Sequence, residues 1–143
     1  MWKSFIGHIS PDYTFNAPAS ENEILGLEEA LNVKLSDELK SLLRESNGVD
    51  EQYGALIWSV NRIIEENVSL RSYPDFKDLY MPFDCLLFVA DAGNGDLFGY
   101  SVLNGAIQKD DIFVWNHEDD SRTWVAPSLQ TFIEWWTGGK ISV

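Results

Sequence analysis

Cysteine is nearly absent from this chain: Cys85 stands alone among 143 residues. One thiol excludes an intramolecular disulfide framework and a cysteine-based zinc cluster. Beside the apolar run "LLFVA" it reads as a small buried filler. Cations are scarce as well, ten Lys and Arg against 23 Asp and Glu, for a formal net charge of −13. That balance repels nucleic-acid phosphates and anionic lipid surfaces. It argues against a direct nucleic-acid or membrane binder, and leaves solubility or a basic protein partner to account for the charge. Nowhere is there the run of roughly 18 apolar residues that a membrane span needs, and "MWKSFIGHIS" carries no cleavage signature. A cytoplasmic protein is the simplest expectation.

No Pro/Gly/Ser-rich linker, low-complexity stretch or internal repeat divides the sequence, so one domain over residues 1–143 is expected. Hydrophobic residues make up 45% of the chain and include six Trp, enough for a packed interior. In "SENEILGLEEAL", Ser20 can cap a helix and Glu23 can reach back to it, while Ile24, Leu27 and Leu31 mark one face. A second helix follows in "LSDELKSLLRESNG", with Ser36 as cap, Leu39, Leu42 and Leu43 as the buried stripe and Asn47-Gly48 as the stop. The short link between them implies an antiparallel hairpin.

Next come a short strand, "ALIW", and a third helix opened by Ser59, with Val60, Ile63, Ile64 and Val68 turned inward. "RSYPDFKDLYMPFDC" reads as an irregular connection over the core. The period then changes. "LLFVADAGNGDLFGYSV" predicts strand, turn, strand around Asn94-Gly95, "DIFVWNHED" a third strand, and "SLQTFIEWWTGG" a closing helix with Leu129, Phe132, Ile133 and Trp136 on one face. This order predicts an α+β fold with a mainly antiparallel sheet, an N-terminal helical hairpin and a C-terminal helix.

The chemical motifs are weak. In "VWNHEDDSR", an extended backbone sends His117 and Asp119 to one side and Glu118 and Asp120 to the other, so four metal ligands do not converge. Neither HExxH nor a calcium-loop pattern occurs, and no metal or other cofactor is expected. "GNGDLFG" fails the dinucleotide fingerprint at Phe98, and Asp91 and Asp96 would repel a phosphate. Gly93 and Gly95 are better explained by a turn. No GxSxG elbow occurs and nothing marks Cys85 as an activated thiolate, so an enzyme is not expected. A metal-dependent hydrolase using His117 stays as a third reading, one that predicts tight divalent-ion binding. Trp58, Trp115 and Trp124 fall in or beside strands, and adjacent Trp135 and Trp136 cannot both face a core from one helix.

The order of these signals resembles the SUKH superfamily, which includes fungal cell-wall-assembly regulators and many bacterial immunity proteins. The matching strings are "PASENEILGLEEAL", the "L…LLRESNG" helix end, "LIWSVNRIIEEN", "LLFVADAGNGDLFGY", "FVWNHEDDSRTW" and "SLQTFIEWW", spanning residues 18 to 136. One departure is Ser36 after Leu35, where the family commonly has Leu-Pro; serine caps where proline would begin the helix. The resemblance implies a non-catalytic domain that binds and neutralises a cognate toxin encoded nearby, often the C-terminal nuclease domain of a secreted polymorphic toxin. On that reading the toxin-binding candidates are Asp91, Asn94 and Asp96 in one hairpin and Glu118, Asp119 and Asp120 at the next strand end, with Tyr100 and Trp115 as aromatic anchors. An intracellular scaffold or regulatory module that binds host proteins is the alternative.

Overall fold

Serine capping organises the helices. The computed structural model describes residues 1–74 and 79–143. The chain runs α1 (Trp2–Ile9), β1 (Thr14–Phe15), α2 (Glu21–Leu31), α3 (Asp37–Glu45), β2 (Val49–Glu51), β3 (Gly54–Ile57) and α4 (Val60–Ser72). It continues with β4 (Leu86–Asp91), β5 (Leu97–Ser101), β6 (Ile112–Trp115), β7 (Arg122–Ala126) and α5 (Leu129–Thr137). Ser20, Ser36, Ser59 and Ser128 each accept a hydrogen bond from the backbone N–H three residues on, satisfying a donor the helix itself leaves open. At Ser20 the capping box with Glu23 is complete. Arg44 Nε lies 2.6 Å from Glu21 Oε1 and Ala19 N–H donates to Leu43 O, so the end of α3 returns to the start of α2, as an antiparallel hairpin requires.

The strands form two antiparallel sheets among the described residues, β1-β2-β3 and β4-β5-β6-β7, and the fold class is α+β. Within the larger sheet Leu97 faces Trp115 and Phe98 faces Val114, so Phe98 and Trp115 project from opposite faces. On one face Phe98 packs against Phe132 of α5 at 4.7 Å between ring centroids. On the other, Trp115 meets Tyr80 and Phe83 edge-on, each at 5.2 Å. Both faces of the sheet are therefore covered.

Several elements depart from the sequence reading. Helix α1 was not anticipated: no capping side chain precedes it, and its first amides, Trp2 N–H and Lys3 N–H, donate instead to Glu45 at the end of α3. Its Trp2 and Ile6, one turn apart, are buried. On α4 the inner face carries Asn67, while Val68 is exposed, because the polar groups of Asn67 are all used inside. The third strand stops at Trp115 because Asp120 N–H donates back to Asn116 O and Asp120 takes a left-handed φ of 60°. A further strand, β7, then follows. Cys85 is exposed and is no core filler. The irregular connection expected across "RSYPDFKDLYMPFDC" includes residues 75–78, which lie outside the described ones; from Tyr80 onward it lies against the sheet through Tyr80 and Phe83.

Candidate functional site

Antiparallel pairing brings the β4–β5 turn and the β6–β7 turn to the same end of the larger sheet. Each turn is fixed by its own polar side chains. Asp91 Oδ1 accepts from Gly93 N–H and Asn94 Oδ1 from Asp96 N–H in the first. Asn116 Oδ1 accepts from Glu118 N–H and Asp119 Oδ1 from Ser121 N–H in the second. Such local bonds are the ordinary work of Asx turns.

The two turns are then joined. Asp96, only 4% exposed, places Oδ1 2.6 Å from His117 Nδ1 and 3.1 Å from His117 N. The imidazole lies over Gly95, whose φ is +101°; a Cβ there would stand 2.9 Å from the ring. Gly95 is thus required twice, by its backbone angle and by the ring above it.

Asp120 performs a similar task on the other side. Its Oδ2 accepts from Met81 N–H at 2.9 Å, and its Oδ1 from Trp115 Nε1 at 2.8 Å and Arg122 at 3.2 Å. Arg122 in turn donates to Met81 O and Pro82 O and sits over the Phe83 ring. Partial burial works to raise the Asp120 carboxyl, but the Met81 amide, the Trp115 indole and Arg122 together hold it below the usual aspartate range. A depressed carboxyl stabilises the fold above its unfolded-state pKa and loses that contribution as pH falls through the folded value. Asp120 is a structural clamp on the 80–83 segment.

These partners sort the residues expected to meet a toxin. Glu118 and Asp119 are exposed, as is Asn94. Hydrogen bonds from Ser121 hold Asp119 below the usual aspartate range. Asp91 is half-buried, accepting from Trp58 Nε1 at 2.8 Å and Arg62 at 3.3 Å. Asp96 is inside. The two aromatic anchors are corrected outright: Tyr100 is 0% and Trp115 4% exposed, and both are core side chains. The strand alternation that exposes one face of an isolated hairpin exposes neither here, because α5 and the 80–83 segment cover both. Trp124, which the sequence places in or beside a strand but which is not among the toxin-binding candidates, is exposed on β7 and donates from Nε1 to Asp111 Oδ1 at 2.9 Å. The signal available was a lone Trp after a polar turn.

Among the described residues no three His, Cys, Asp or Glu side chains gather where they could hold a metal ion, and no helix is long and apolar enough to cross a membrane.

The SUKH_6 family model, described as SMI1-KNR4 cell-wall, matches residues 21–133. The chain belongs to the SUKH superfamily. No curated protein matches it. The matched range runs from the start of α2 into α5 and takes in both turns of the candidate site. SUKH domains bind partner proteins, which makes a protein surface the relevant kind of site to seek on this SUKH domain.

Proposed function

We propose that this SUKH protein is a cytoplasmic immunity protein that binds a cognate toxin, a basic nuclease domain encoded nearby, and covers the surface with which that toxin holds nucleic acid. The observation that carries this reading is the exposed pair Glu118 and Asp119, which form no ion pair among the described residues, displayed on a turn braced from beneath by Asp96, His117 and Asp120. Elsewhere Lys40, Arg44, Arg62 and Arg122 each pair with an acid and Arg71 binds backbone carbonyls, while 23 acids against ten cations leave the chain a net charge of −13. Complementary charge accelerates encounter and suppresses wrong partners. The same charge disfavours direct binding to nucleic acid. Binding without catalysis is the role this reading assigns to the domain.

The test is protection. Co-expression with the C-terminal domain of the adjacent toxin should restore growth of cells that the toxin domain alone arrests. Glu118→Gln combined with Asp119→Asn should slow association roughly three- to tenfold at low salt, as loss of rim charges does, with only a small drop in thermal midpoint, since asparagine keeps an acceptor for Ser121 N–H. Asp120 is left intact, since neutralising it would free the Met81 segment and confuse binding with stability. Association at the wild-type rate would remove this turn from the interface.

A further inference from the structure

The two edges of the larger sheet are treated differently. Along β4, Leu86 O accepts from Arg71 Nη2, Phe88 N–H donates to Asn67 Oδ1, Phe88 O accepts from Asn67 Nδ2 and Val89 O accepts from Trp58 N–H, all at 2.8–2.9 Å. Helix α4 and the chain leaving β3 thus close that edge. At the opposite edge β7 pairs with β6 alone, and among the described residues no side chain or loop hydrogen-bonds to its outward backbone groups. Open edges are templates for another strand, and proteins commonly guard them with Lys, Pro or inward charge.

Strand β7 has no Lys or Pro, and its one cation, Arg122, is bent onto Asp120 and the carbonyls of Met81 and Pro82. At its centre Trp124 is 47% exposed. The ring is pinned by its bond to Asp111 and by edge contact with Trp135 at 6.4 Å, so an apolar surface is held ready at little entropic cost. Acids stand at both ends of the strand: Glu118 and Asp119 in the turn before it, and Asp110 and Asp111 ahead of Ile112, which faces Ala126.

We infer that β7 is a docking edge, at which an extended, Lys- or Arg-bearing segment of the partner adds as a further strand. An apolar side chain of that segment rests on Trp124, and its cations lie toward the two acid pairs. Main-chain hydrogen bonds supply affinity in this mode and alternate side chains supply specificity. The inference rests on the reading of the partner as a basic toxin domain and adds the manner of its recognition. A second copy of this chain fits the edge poorly, because pairing two β7 strands would set the same acid pairs together on molecules that each carry a charge of −13.

The experiment is a calorimetric titration of the full chain with the C-terminal domain of the adjacent toxin. It compares wild type, Trp124→Ala, Thr123→Lys and, as a control with the same charge change on α4, Glu65→Gln. Trp124→Ala should weaken binding about 30-fold, the effect of losing a central aromatic anchor. Thr123→Lys should weaken it at least about tenfold by guarding the edge, and Glu65→Gln by less than about twofold, since isolated rim charges contribute little. Circular dichroism of each variant checks the fold. Wild-type affinity in both edge variants would overturn the docking edge and leave the immunity reading standing, whereas no binding by wild type would overturn both. A dimer seen in sedimentation and abolished by Thr123→Lys would assign the edge to a second copy and overturn the proposal.

Discussion

Asn67→Ala should lower the free energy of unfolding by about 3 kcal/mol, the largest loss expected from one polar side chain here. Asn67 is 1% exposed and closes the β4 edge with both ends of its amide: Nδ2 donates to Phe88 O and Ile63 O, and Oδ1 accepts from Phe88 N–H. Truncation leaves the N–H and C=O of one buried residue unpaired at once, and each such group costs about 1–3 kcal/mol. Asn67→Leu fills the volume and leaves the same groups unpaired, so it should lose nearly as much. Urea unfolding of the three proteins checks this. A loss below about 1 kcal/mol in both variants would mean that water or a backbone shift satisfies Phe88, and that the edge is less firmly closed than the hydrogen bonds indicate.

Glu38→Ala should follow with a loss of about 2 kcal/mol, for a related reason. Oε1 of Glu38 accepts from Tyr100 OH at 3.1 Å and from Leu129 N–H at 2.8 Å, so one carboxylate ties α3 to β5 and to the first turn of α5. Burial raises the Glu38 carboxyl above the ordinary glutamate range and Asp110 adds to the effect, against the opposing bonds from Leu129, Tyr100 and Gln130. The Tyr100 phenol is raised as well, by its burial and then by Glu38. A carboxyl raised in the folded state binds its proton more tightly there than in the unfolded chain. Its stabilising contribution is complete below the unfolded pKa and fades as pH rises through the folded one. Glu38→Gln keeps an acceptor for both donors and removes the titration. It should therefore retain most of the stability and gain on wild type as pH climbs from the acid range to neutrality. Parallel stability profiles for wild type and Glu38→Gln would contradict the raised carboxyl.

The contrast between these residues and the helix caps shows what the sequence could disclose. Ser20, Ser36 and Ser59 were legible because a cap and its N–H lie three residues apart, and the Asn94-Gly95 turn because it needs only its own backbone angles. The roles of Asn67, Asp96 and Asp120 depend on Phe88, His117 and Met81, which lie 21 to 39 positions away along the chain. A run such as "NHEDD" looks uniformly acidic, yet folding divides it between a clamp and an exposed pair. Tyr100 and Trp115 misled for the same reason: whether a strand face is wet depends on which elements cover it. Strand β7 was obscured because its residues are half exposed, so its alternation is faint. The family resemblance was carried by the order of elements, and the surface those elements leave open had to be read from their packing.

The measurement that bears most directly on the central claim is the heat of mixing wild-type protein with the C-terminal domain of the toxin proposed as its partner, recorded at low and at high salt. Charge-assisted neutralisation requires one-to-one binding that is tight at low salt and weaker at high salt, because screening shortens the reach of exposed charges. Absence of binding at both salts would contradict the assignment of this toxin as partner, and binding of equal strength at both would contradict the acidic surface as its cause.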